Sequence, residues 1–312
     1  MFSQILSKPL PYIALILAHT IWGIHFVVSK ITLQEFPVYT LAFLRFAFAS
    51  LFLAPFFLAQ TKKVKIKTKD LPKLVAVGIF IITLNIAFFF SGIKITDATS
   101  ASVITLIIPI LSVVLGWFFL REKVFLINLS GVILGLLGAL VIIGIPEILL
   151  GDFEPTKLLG NFLILLASVS FVIGAVFSRQ MLKKYPSLTV TAFAFLVGLI
   201  TFLPMAAYEY LQNPLWTDKI TILGLFGLAF MVLLSSISAY FLFEWGLAKT
   251  SLVRADLFQY IEPFWASSLA VLILGEQISV PYVAGAILIV GGVYLGTLAK
   301  EPHHRHHKAH RI

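Results

Sequence analysis

A carboxylate and a proline stand side by side, as Glu262-Pro263, near the middle of an apolar run over residues 252–275. A run of that length can cross a bilayer, and an ionisable side chain at its centre is costly enough to suggest function. The proline ring removes a backbone N–H and pushes against the carbonyl four residues earlier, that of Gln259. A freed carbonyl, an amide and a carboxyl group therefore share one short stretch. Irregular backbone at membrane depth is tolerated where it is buried in protein or lines a wet cavity, so the stretch reads as the wall of a solute pathway. Glu262 would bind the ammonium of a substrate or carry a proton. The bland alternative is a protonated structural glutamate, hydrogen-bonded to a neighbouring helix.

Around it, Asp256, Gln259 and Glu262 recur at i, i+3, i+6, which makes one slowly rotating polar stripe, with Tyr260 and Trp265 beside it. Asp256, close to Arg254, reads equally as an interfacial ion pair or a gate. His19, Trp22 and His25 repeat the same spacing in residues 11–29, with Ser29 one turn on. Such a pair of histidines would hydrogen-bond a substrate or relay protons, or simply tie helices together. Zinc is not expected, since two histidines on a helix bind it at i, i+4. Arg45 reads as a structural ion pair, with Glu244 as one available carboxylate. Glu244, beside Trp245, reads as a substrate contact or a gate. Asn85 and Tyr240 are further cavity donors. Pro109 and Pro263 are the expected helix kinks.

The elements that must position these groups follow from composition. The chain has 312 residues, 60% of them hydrophobic and only 12% charged, too much apolar surface for a soluble domain of this size. Cysteine is absent, which rules out disulfides and thiolate metal sites. The net charge of +9 does not point to nucleic acid, because the basic residues cluster between apolar runs, as the cytoplasmic-loop bias requires. Ten runs approach the length of a span: 11–29, 38–59, 73–92, 98–120, 124–144, 158–178, 188–208, 221–247, 252–275 and 280–299. Lys62, Lys63, Lys65, Lys67, Lys69 and Lys73 follow the second run and place that loop in the cytoplasm. Alternation then puts both termini inside, and the charge of the other loops agrees. The histidine-rich end, residues 301–312, is expected to be a disordered cytoplasmic tail.

The two halves repeat. Pro109 matches Pro263 at an offset of 154, and the same offset carries Gly92 onto Gly246, Glu122 onto Glu276, Gly131 onto Gly285 and Gly138 onto Gly292. Ser29-Lys30 matches Ser178-Arg179, and Pro55 matches Pro204, at an offset of 149. Five spans per half is an odd number, so the second half would enter the membrane inverted, an arrangement of secondary transporters with a site near the midplane. Residues 1–150 and 151–300 are the expected repeats. Glu122 and Glu276, at matching run ends, read as caps or packing groups. Gly131-x3-Gly135, Gly285 and Gly291-Gly292 would let helices approach closely.

Ile108-Pro109 through Arg121-Glu122-Lys123, Glu262-Pro263 through Leu274-Gly275-Glu276, Trp22-Gly23 and Arg45 together resemble the EamA group of the drug/metabolite transporter superfamily. The resemblance runs over essentially the whole chain. It implies an all-α integral membrane protein of ten helices in two inverted five-helix bundles. Helices 4 and 9 would lie near a central cavity, and helices 5 and 10 at the periphery or at a homodimer contact. It also implies export of amino acids or other small metabolites. The glutamate before the proline occurs only in the second half, so any coupling carboxylate would be single. With no nucleophile, phosphate-loop or zinc pattern, no enzyme or cofactor is expected. Uphill transport would draw on an ion gradient, with protons as one coupling ion. The expected function is inner-membrane export of an amino acid or related metabolite by alternating access. A multidrug exporter, a lipid-linked flippase and a non-transporting membrane subunit are the alternatives.

Overall fold

The computed structural model of the chain describes residues 9–120, 126–143 and 154–297. All regular structure among them is helical, as a chain in lipid requires when water cannot satisfy its backbone. Helix α1 is Pro9–Thr32 and α2 is Val38–Lys63. The third passage begins with a 3₁₀ turn, Thr68–Asp70, and continues as α3 (Leu71–Val77), a π segment (Gly78–Leu84) and α4 (Asn85–Ile95). The fourth is broken into α5 (Ala98–Ile104) and α6 (Ile107–Leu120). Helices α7 (Leu126–Ile143), α8 (Pro155–Met181) and α9 (Ser187–Gln212) follow. The next passage is α10 (Ile222–Phe230), a π segment (Met231–Ser238) and α11 (Ala239–Lys249). Then come α12 (Leu252–Asp256), a 3₁₀ turn (Leu257–Tyr260), α13 (Ile261–Leu269) and a short π segment (Ala270–Leu274). Helix α14, Val280–Thr297, closes the chain's described part.

Seven of these passages are long and apolar enough to cross a membrane, and three apolar helices are shorter: 133–142, 258–274 and 280–292. The outer face is as apolar as the interior. Leu211, Leu272 and Val280 are about four-fifths exposed, while His19, His25, Arg45, Glu244, Asp256, Gln259 and Glu262 are buried. Apolar groups outside and ionisable groups inside are the distribution that lipid as a solvent selects.

Polar ties join the helix ends at two faces. At one, Glu35 accepts from Thr221 N and Oγ1 at 2.8 and 2.7 Å, and Glu209 accepts from Thr40 N at 2.7 Å. There too, Glu276 accepts from Ala98 N and Thr99 N at 2.8 and 2.9 Å, capping α5. At the other, Asp70 accepts from Lys184 at 2.6 Å and from Tyr185 at 2.8 Å. Lys30 donates to Thr96 O at the first face, and Arg179 donates to Thr250 O at the second. Lys30 and Arg179 are 149 positions apart, and Thr96 and Thr250 are 154 apart.

The last helices of the two halves touch backbone to backbone. A Cβ on Gly138 would lie 2.6 Å from Gly285 O, one on Gly285 2.7 Å from Gly138 O, and one on Gly292 2.6 Å from Gly131 O. Glycine at these positions lets α7 and α14 approach to a distance no other residue permits. Glu122 and the tail 301–312 lie outside the described residues.

Candidate functional site: a cavity between the halves

The site is built on two interruptions. Proline cannot continue a helix but fits its first turn. Pro263 is the third residue of α13, directly after the 3₁₀ turn Leu257–Tyr260. Pro109 is the third residue of α6, directly after the break at Thr105 and Leu106. The two breaks meet: Gln259 Nε2 donates to Thr105 Oγ1 at 3.2 Å, across 154 positions of sequence. The same nitrogen donates to Glu262 Oε2 at 2.5 Å. The other carboxyl oxygen, Oε1, lies 2.7 Å from His19 Nδ1. Both oxygens of this 3% exposed acid are therefore held. Gly23 lets α13 come this near to α1, since a Cβ there would lie 2.9 Å from both Glu262 O and Trp265 Cβ.

A second polar cluster sits further along α1, at His25. Arg45, from α2, is fully buried. Its Nε donates to Ser236 Oγ at 2.5 Å and its Nη2 to Ser235 Oγ at 3.1 Å. Its Nη1 lies 3.1 Å from His25 Nε2. A guanidinium only donates, so Nε2 accepts and the neutral His25 ring carries its proton on Nδ1, facing Ser29 Oγ at 3.2 Å. The two serines belong to the π segment Met231–Ser238. A π turn shifts backbone partners, and here Ser235 O receives Trp22 Nε1 at 3.2 Å.

Between the clusters lies a cavity of about 530 Å³, counting its open mouth. Trp22, His25, Asn85, Tyr240, Gln259 and Glu262 line it, all singled out from sequence, and so does Arg45. Phe89, Thr105, Ser168 and Phe171 also line it; no sequence signal separates these from ordinary packing residues. Aromatic rings form much of the wall: His25 stacks on Phe89 with centroids 5.6 Å apart, and Trp22 meets Tyr240 edge-on at 5.1 Å.

Four sequence candidates stand elsewhere. His19 is behind the wall, holding Glu262. Trp265 and Tyr260 are half-buried beside it, and the Tyr260 hydroxyl has no hydrogen-bond partner among the described residues. Glu244 accepts from Ser178 Oγ at 2.5 Å. The expected ion pair of Arg45 is corrected: among the described residues no carboxylate lies within ion-pair distance of it, and Glu244 is engaged by α8 instead. Asp256 accepts from Ser112 Oγ. Among the described residues no group of three potential metal ligands occurs.

Comparison with known proteins agrees with this architecture. An uncharacterized transporter of Archaeoglobus fulgidus is 28% identical over 91% of this chain and 97% of its own length. A probable amino-acid metabolite efflux pump of Salmonella typhimurium is 29% identical over 93% and 95%, and one of Escherichia coli 27% over 90% and 92%. A solved crystal structure with 18% identity superposes with a TM-score of 0.63 over 92% of this chain and 96% of the other, a likeness of fold alone. The profile of the EamA-like transporter family matches twice, at residues 9–144 and 158–298. With both halves matched and its ionisable groups turned inward from an apolar exterior, this multi-pass membrane protein belongs to the EamA-like transporter family.

Proposed function

We propose that this chain is a secondary carrier that exports an amino acid or related metabolite by alternating access around the central cavity. The observation that carries the reading is Glu262, a buried acid in the cavity wall with both oxygens held, by His19 and Gln259. A substrate ammonium would replace His19 as its partner, while Trp22, Phe89, Phe171 and Tyr240 would cover the apolar remainder. The two efflux pumps named above support the substrate class and the outward direction. The basic loop of this chain after the second span supports a reading with both termini in the cytoplasm of an inner membrane.

The ten spans are read as two inverted five-helix repeats, residues 1–150 and 151–300. Matched ties support this. Lys30 on Thr96 and Arg179 on Thr250 are counterparts, and so are Gly138 on Gly285 and Gly292 on Gly131. The π segments Gly78–Leu84 and Met231–Ser238 are counterparts as well. The His19–Glu262 hydrogen bond supports proton coupling in this reading. It holds a proton that leaves when an ammonium docks and returns when it departs.

Purified protein in liposomes tests the reading. Labelled amino acids should cross, faster under an imposed pH gradient, with the acceleration lost on adding a protonophore. Movement of dyes or lipids in place of amino acids would support a multidrug exporter or a flippase. No flux of any solute would remove the carrier reading.

A further inference from the structure

Resting on the carrier reading, we propose that Arg45, held in place by His25, is the binding site for a carboxylate group of the substrate. Arg45 lines the cavity and is fully buried, and among the described residues no acid pairs with it. A guanidinium has five N–H donors and stays charged. Ser236, Ser235 and His25 take one each from Nε, Nη2 and Nη1. That leaves one N–H on each terminal nitrogen for a two-oxygen acceptor, the geometry that arginine offers a carboxylate.

The remaining neighbours do not neutralise the charge. The guanidinium carbon lies 5.2 Å from the Phe46 ring centroid, 5.9 Å from that of Phe90 and 6.0 Å from that of Tyr240. Ring faces attract a cation but bring no counter-charge. A buried cation without an anion is costly, and a structural role would be served by an acid within reach. Glu244 is buried too, yet it is turned to Ser178. The cavity thus carries an acid at one end and an unpaired base at the other. On α1 their partners His19 and His25 are six residues apart, about 9 Å along a helix. A solute bearing both an ammonium and a carboxylate matches this polarity. An amine lacking the carboxylate, or a neutral ester, leaves Arg45 as it is.

Purified full-length chain can be melted in detergent with each of the common amino acids, their methyl esters and the corresponding decarboxylated amines. At least one free amino acid should raise the melting temperature while its ester and amine do not. R45Q should weaken binding of that acid by about 30-fold or more, and R45K, which keeps the charge but loses the fork, should weaken it less. If R45Q does not fold, the discrimination by wild-type protein alone decides. Esters or amines that act as strongly as acids overturn the proposal, as do an undiminished acid response in R45Q and the lack of any acid response. Flux of esters or amines that ignores Arg45 would remove the carboxylate site and leave the carrier standing. Absence of all flux in liposomes would remove the carrier itself.

Discussion

The two proline-broken passages, α5–α6 and α12–α13, start from nearly the same plan and end with different chemistry. Each restarts with proline as the third residue of its second helix, and their counterpart residues Thr105 and Gln259 hydrogen-bond to each other. At the position before the proline, one carries Ile108 and the other Glu262. The partners differ in step. Glu262 meets His19 of α1, whereas the residue 149 positions after His19 is Ser168. A shared backbone device therefore makes the break twice, and side chains on one side alone make it chemical. A second acid in this small space would set like charges against each other.

Exchanging the two residues, I108E with E262I, is the most severe way to break the comparison. The new acid would face Ser168 rather than a histidine, so flux in liposomes should vanish and stability to unfolding in detergent should fall by about 3 kcal/mol. Near-normal flux would mean that the halves are interchangeable after all. Next in size, E262Q keeps the shape and removes the charge, and should lower amino-acid flux on the order of 100-fold with little change in melting temperature. G285V tests the scaffold rather than the chemistry. Its side chain meets Gly138 O and Ile142, and should cost about 2 kcal/mol of stability, with G138V close behind. The smallest effect is expected of T105V, which removes one hydrogen bond to Gln259 and should cost about 1 kcal/mol, read as a few-fold weaker binding in the thermal-shift titration.

What could be read in advance follows the same division. Glu262, Gln259 and the histidines of α1 stood out because polar groups in an apolar run are costly wherever they point. The family, the helical class and the proline breaks were legible for similar reasons, since each is written in a few residues with a large local effect. For Arg45 the sequence suggests an ion pair, because a lone charge invites a charged partner. Its real partners, Ser235 and Ser236, lie about 190 residues away on a π segment. Two serines in an apolar helix carry little signal, and a π turn none. Phe89, Phe171 and Ser168 line the cavity without any signal in the sequence, because a phenylalanine or serine in a membrane helix is unremarkable until its neighbours are known. Of the ten runs read from hydropathy, seven correspond to helices long and apolar enough to cross a membrane among the described residues.

The contact between α7 and α14 limits how such a molecule can move. A single methyl group would already collide with the opposite backbone at Gly138, Gly285 and Gly292, so these two helices meet in direct backbone contact. The pair would serve as a keel, and the swing that exposes the cavity to each side would fall to the remaining helices. Spin labels at Leu136 and Ile287, both exposed, should hold one separation with and without substrate, while labels joining α1 to α13 should not.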